Sequence, residues 1–259
     1  MIRRGEWDML VIPAVAPEAQ TYKIGPGEDD VYHRPEGEVL LPDREPQAVL
    51  DALKIEIGSM NFSAQYMQDP VPPDGNIIKR EWLRYYEEEP QPFLRVISSW
   101  DLASTIEEKS SYSVGMLWGE YDDDFYILDM VRRKLETPEL RKLIIEYEGK
   151  WDPNVSIIES TELGRSLCQD LRQTTKIRPK LITTRIDKEA RLLTQAARFE
   201  GGRVLLPVAV PWLDDYEEEL LAFPYGRNDD QVDATSQALY FLTTRTNAKA
   251  GTVRARVFG

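Results

Sequence analysis

The sequence predicts an α/β fold: a mixed sheet whose first three strands run antiparallel, whose later strands are parallel, and whose faces carry helices. Three observations lead there. Three strand-like runs follow one another between residues 95 and 134, two of them joined by a tight acidic turn. After them, runs of five or six residues alternate with longer helical stretches. The chain then closes on two helical segments. Strands joined by a tight turn pair antiparallel, whereas strands separated by a helix are joined by a crossover and lie parallel.

Taken in order, RVISSW (95–100) is a short strand ending at Asp101. SYSVGMLWGEY (111–121) alternates as a second strand and FYILDMVRRK (125–134) as a third, with YDDD turning between them. Thr137-Pro138 opens a helix that runs to about Lys150, with proline at its first position and Thr137 as its cap. VSIIES (155–160) is a β-branched run expected as a buried strand. A helix follows from Glu162 to Thr174, then the strand KLITT (180–184). DKEARLLTQAARFE (187–200) is a helix capped by Asp187, and RVLLP (203–207) is a last strand. PWLDDYEEELLAF (211–223) and DDQVDATSQALYFLTT (229–244) are the closing helices. The order is that of the ribonuclease H-like arrangement, and the antiparallel hairpin is expected at one side of the sheet.

Residues 1–75 read as an appendage. MLVIPAVA is strand-like, GPGEDDVYHRPEG reads as loop, and a helix starts near Pro46 and stops at Gly58. NFSAQYMQDPVPPDG, ending in a Pro/Gly cluster, reads as a linker. The expected organisation is thus an appendage over 1–75, a main domain over 76–245, and a basic tail over 246–259.

Composition narrows the chemistry. The hydrophobic share of 42% and charged share of 30% are those of an ordinary globular protein. No apolar run approaches the roughly 18 residues of a membrane span, and no secretory leader is evident, so a cytoplasmic protein is expected. The single cysteine, Cys168, excludes intrachain disulfides and cysteine-based zinc sites. The single histidine, His33, is expected in a surface loop rather than as a general base. Catalysis would therefore lean on carboxylates, lysines or metals. The net charge of −13 disfavours a free-standing DNA binder, but residues 165–203 carry ten Lys/Arg against four acids. A basic strip beside an acidic pocket suits a nuclease whose ions bring their own positive charge.

Three acidic positions fall where this fold would gather them. Asp101 ends the first strand, Glu159 ends the fourth, and Asp229, Asp230 and Asp233 open the last helix. Asp230 and Asp233 are three apart and project from one helical face. Singly, each has a plain explanation as a turn former, a strand end or a helix cap. Together they would repel one another unless cations relieved them, and hard oxygen donors suit Mg²⁺ or Mn²⁺. Two such ions serve phosphodiester hydrolysis with no histidine, cysteine or covalent nucleophile.

With these residues in view, the chain resembles the C-terminal nuclease half of the large terminase subunit of tailed phages and prophages. The matching stretches include FSAQYMQDP (62–70), IIKREWLRYY (77–86), SSWDLAS (98–104), YILDMVRRKLETPEL (126–140), IIES (157–160), DKEAR (187–191) and FPYGRNDDQVDATSQAL (223–239). The last is the most specific, pairing an FP-x-G turn with a DDxxDA helix start. The resemblance implies a metal-dependent endonuclease that cuts concatemeric double-stranded viral DNA during genome packaging, in the host cytoplasm. It implies two Mg²⁺ or Mn²⁺ ions held by Asp101, Glu159, Asp230 and Asp233, with Asp229 adjacent. Lys188, Arg191 and Arg165 are its candidate DNA contacts. The implied partners are double-stranded DNA, the terminase ATPase domain, the small terminase subunit and the portal protein. In three respects the chain departs from the pattern. Ser111 stands where members often carry an aspartate. No G-x-x-x-x-G-K-[ST] loop occurs, so residues 1–75 resemble only the end of the ATPase and its linker, and ATP hydrolysis by this chain alone is not expected. The chain is also more acidic than a free-standing DNA binder. A junction resolvase of the same fold and a non-catalytic module docking on portal or small subunit are the alternatives.

Overall fold

The computed structural model describes residues 10–69, 76–103, 112–183 and 186–244. Ser111 and the tail 246–259 lie outside these. The chain divides into two compact units, Met1–Asp74 and Gly75–Gly259.

In the first unit, strands β1 (Gln20–Lys23) and β2 (Val31–Arg34) pair antiparallel and precede helices α1 (Gln47–Ile57) and α2 (Ser59–Tyr66). The hairpin replaces the expected loop: GPGEDD is its turn, and His33 sits exposed on β2, hydrogen-bonded to Thr21 Oγ1 at 2.9 Å. MLVIPAVA forms no strand over its described residues; Val15 makes only an isolated bridge with Val39. Buried Arg34 anchors this stretch, its guanidinium donating to the carbonyls of Pro13, Ala14 and Glu38 at 2.7–3.2 Å. Helix α1 has the expected limits. The segment expected as linker instead begins with α2, because Gly58 at φ 79° breaks the chain direction and Phe62 is buried against Tyr66.

The second unit is built on a sheet of strands β3 (Arg84–Tyr86), β4 (Arg95–Asp101), β5 (Ser113–Tyr121), β6 (Asp124–Arg133), β7 (Val155–Glu159), β8 (Lys180–Ile182) and β9 (Val204–Pro207). Its order is β3-β9-β6-β5-β4-β7-β8. Strands β4, β5 and β6 are antiparallel neighbours; β7 lies parallel to β4, β8 to β7, β9 to β6 and β3 to β9. The antiparallel strands therefore stand in the middle of the sheet, not at one side. From the β8 edge the chain crosses back over the sheet so that β9 pairs with β6, where Phe125 N–H donates to Arg203 O at 2.8 Å. The short β3 covers its outer edge.

Helices α3 (Thr137–Trp151) and α4 (Glu162–Thr174) cover one face, meeting Val96, Trp100, Leu117 and Ile158. Helices α5 (Lys188–Glu200), α6 (Leu213–Ala222) and α7 (Asp230–Thr244) cover the other, meeting Ile97, Val114, Met116, Trp118 and Ile157. Strands β4 to β7 are largely buried on both faces, whereas the edge strands β3 and β8 are more exposed. The period of two decides what each face receives. Ser98 and Trp100 point to α3, where both donate to the buried Glu148 carboxylate, at 2.5 and 2.9 Å. Ile97 and Ser99 point to α7, so Asp101 does as well. On β7, Ile157 and hence Glu159 share that face.

Helix α7 is buried over eleven of its fifteen residues, apolar and polar alike. It is tied to the sheet by Ser99 Oγ donating to Ala234 O at 3.0 Å and Gln237 Nε2 donating to Ser99 Oγ at 3.0 Å. Its C-terminal turn receives the Arg95 guanidinium, 2.8 Å from Leu242 O, and Arg95 is held in turn by buried Glu120 at 2.6 Å. A cation there complements the negative end of the helix dipole. Among the described residues, no helix is long and apolar enough to cross a membrane.

Candidate active site

At the C-terminal ends of β4 and β7, neighbouring parallel strands place Asp101 beside Glu159, one residue beyond the Trp100–Ile158 pair. The start of α4 keeps Glu159 at this edge. Thr161 caps α4, accepting from Gly164 N–H at 3.0 Å, and Thr161 N–H donates to Glu159 O at 2.9 Å. A Cβ at Gly164 would overlap the Glu159 carbonyl oxygen, so only glycine lets α4 start this close to β7. Helix α7 delivers Asp230 and Asp233 to the same place, three residues apart on one face.

The electrostatics show how crowded this is. Burial raises the Asp101 carboxyl well above its ordinary value, helped by the charges of Asp233, Glu159 and Asp230 and by a hydrogen bond with Glu159. Burial also pushes Asp230 up to about 6; a bond from the Tyr112 backbone and the nearby Arg132 oppose this, while Glu219 and Asp229 add to it. Asp233 is raised by burial despite Lys188 and Arg191. Burial alone would lower Lys188, but its bonds to Asp229 and Asp233 outweigh that and raise it.

Lys188 Nζ bonds Asp229 and stands 3.3 Å from Asp233 Oδ2. Arg191 is 5% exposed; its Nη2 donates to Asp233 Oδ1 at 2.6 Å and its Nε to Ser236 Oγ at 2.7 Å. It is directed into the acidic cluster, against Asp233. The structure thus groups Asp101, Glu159, Asp229, Asp230, Asp233, Lys188 and Arg191. Arg165 stands apart, exposed on α4 with its Nη1 2.8 Å from Ser160 O, at the same end of the sheet. Among the described residues, no three acidic, histidine or cysteine side chains are gathered as a ready-made ion site. Lys188, Arg191 and Arg132 lie against Asp229, Asp233 and Asp230 and offset part of their charge. The donor set is nonetheless all hard oxygen, and its mutual repulsion is what a divalent cation relieves, so Mg²⁺ or Mn²⁺ fits the chemistry of Asp101, Glu159, Asp230 and Asp233.

Two residues of the site escaped sequence reasoning. Glu219 is buried on α6 and accepts from Gln231 N–H at 2.6 Å; Arg132 on β6 lies 3.1 Å from Glu219 and 3.8 Å from Asp230. A signal for Glu219 was present, since Tyr216, Glu219, Leu220 and Phe223 form one buried stripe at helical spacing and an acid within such a stripe needs a partner.

A mixed sheet in this order, with helices on both faces and acids at the ends of its central strands, defines a ribonuclease H-like domain. Residues 98–241 match the family model described as the terminase RNaseH-like domain, and the chain belongs to that family. The fold is similar to that of the large terminase of the thermophilic bacteriophage D6E, at 16% identity and a TM-score of 0.58, over 77% of this chain and 52% of that one. It is also similar to the large terminase nuclease of the thermophilic phage G20c, solved with bound magnesium, at 14% identity and a TM-score of 0.50, over 65% of this chain and 98% of that one. The chain thus spans about half the length of the D6E large terminase. No curated protein matches its sequence.

Proposed function

We propose that this chain is a divalent-metal-dependent DNA endonuclease that cuts concatemeric double-stranded viral DNA during genome packaging. The observation that carries the reading is the convergence of Asp101, Glu159, Asp230 and Asp233 from three elements onto one end of the sheet, where burial and the neighbouring acids raise the Asp101 carboxyl well above its ordinary value. Membership of the terminase family and the magnesium in the G20c nuclease support it. Asp101, Glu159, Asp230 and Asp233 would hold two Mg²⁺ or Mn²⁺ ions, with Asp229 beside them. Such ions would supply Lewis-acid activation of water and charge neutralisation at the phosphodiester.

The chain's own residues do the rest. The sheet and α7 hold the acids in place before substrate arrives, and Arg191 and Lys188 fix Asp233 and Asp229. Arg165, exposed beside the Glu159 end of the sheet, is the candidate phosphate contact, and Lys188 joins it where the backbone passes Asp229. Residues 1–75 are proposed as the end of the ATPase domain with its linker, and the small subunit and portal as partners of the assembled motor. The test is plasmid cutting in Mn²⁺. Asp101→Asn is expected to lower cutting by about a hundredfold or more, with an unchanged circular dichroism spectrum. Equal cutting by Asp101→Asn and the native chain would sink the reading.

A further inference from the structure

Strand β6 carries one more residue than its partner. Leu117 faces Asp129 while Trp118 faces Ile127, leaving Leu128 unopposed. Such a bulge reverses the alternation of the strand beyond it. Before the bulge, Phe125 and Ile127 join the core under α7; after it, Met130 does, and Asp129 turns to the other face, 2.8 Å from Trp151 Nε1 on α3. Arg132, opposite Val114, is therefore aimed at the α7 side, in the row that holds Asp101. On an unbulged strand it would point to the α3 side.

There Arg132 finds three partners. Its guanidinium lies over the Tyr112 ring at 4.1 Å, its Nη2 is 3.1 Å from Glu219 Oε2, and the same nitrogen is 3.8 Å from Asp230 Oδ2. Tyr112 in turn bonds Asp230 through its backbone. Glu219 closes the circuit. Its Oε1 accepts from Gln231 N–H at 2.6 Å and Val232 N–H at 3.3 Å, and its Oε2 from Gln231 Nε2 at 2.8 Å. These amides belong to the first turn of α7, whose donors a helix's own first residue ordinarily satisfies. Here an acid from α6 takes that duty, and the Asp229 carboxylate turns to Lys188.

We propose that Glu219 and Arg132 form a positioning clamp that fixes the first turn of α7 and sets where the Asp230 carboxylate stands for metal binding. Neither residue touches the reacting atoms. The inference rests on the metal-nuclease reading and adds to it the two residues that aim one of its ligands. A plain helix cap would stabilise α7 without affecting metal affinity; a clamp would change the affinity.

Glu219→Gln keeps the shape and an acceptor for the α7 amides but removes the charge facing Arg132, and Arg132→Gln removes the other half. The full chain, each variant and the double variant would be titrated with Mn²⁺ alone by calorimetry, with metal-free melting temperatures measured alongside. The expected result is Mn²⁺ binding about 10-fold weaker or more in either single variant, with the double variant no weaker than the worse single, because the two act as one unit. Unchanged Mn²⁺ affinity in both singles, whatever happens to the melting temperature, would overturn the clamp, as would losses that multiply in the double variant. If Glu219→Gln does not fold, unchanged affinity in Arg132→Gln alone overturns it. A native chain that binds no Mn²⁺ removes the metal reading itself, and the clamp with it.

Discussion

Asp229 shows what a residue's position in the sequence does and does not tell. Opening a helix, it reads as a cap, yet its carboxylate bonds Lys188 while Glu219 takes the first-turn amides. Asp101 and Glu159 were legible because strand ends and the period of two are local properties. The burial of Arg191 was not, because it depends on Asp233 and Ser236, distant in the chain. At this scale Gly164 makes a prediction. Gly164→Ala forces a Cβ against the Glu159 carbonyl, so α4 must retreat and take the end of β7 with it. Cutting in Mn²⁺ should fall and melting drop by several degrees; a fully active variant with native melting would show that the close approach is dispensable. Arg165→Ala tests the phosphate contact. One lost contact should weaken duplex binding and reduce the steepness of log K against log salt by about 1, whatever the DNA sequence. An unchanged slope would remove Arg165 from the interface.

Among elements, α7 connects fold to site. It is gripped at its start by Glu219, in its middle by Ser99 and Gln237, and at its end by Arg95 with Glu120. Negative charge at the N-terminus and positive charge at the C-terminus both complement the helix dipole. Because Arg95 and Glu120 are nearly buried, Arg95→Ala leaves a carboxylate without its partner and should cost about 3 kcal/mol in urea unfolding. A loss under about 1 kcal/mol would mean that water replaces the guanidinium. Most elements after residue 95 could be read from alternation and caps. The exceptions are informative: β1 and β2 are short and polar, α2 looks like a linker because of the Pro/Gly cluster after it, and β3 is three residues long. None is long enough to show a period.

For the molecule as a whole, the acidic cluster links stability to pH and to cations. Asp230 titrates near 6 against an ordinary value of 3.8, so the folded chain binds this proton more tightly than the unfolded one. Its contribution is present below the unfolded value and is lost as pH rises through the folded one. The metal-free chain should therefore lose up to about 2–3 kcal/mol relative to Asp230→Asn between pH 4 and 7. Saturating Mn²⁺ should restore the native chain and leave the variant little changed, since only a ligand bound to the folded state stabilises it. Thermal melts at several pH values with and without Mn²⁺ measure both. Parallel curves for the two proteins would show that Asp230 carries no such strain.

By itself the sequence determined the class of fold, the run of elements from β4 to α7, the exclusion of histidine and cysteine chemistry, and the acids at the strand ends and helix start. These come from composition and from periodicities that a dozen neighbouring residues set. Only the tertiary structure decided that β9 leaves the β8 edge and lies beside β6 across the sheet, that one extra residue in β6 turns Arg132 toward the site, and that Glu219 caps a helix other than its own. Each depends on pairing between segments far apart in the chain, where local pattern is silent and the need to satisfy buried charge and backbone decides the outcome.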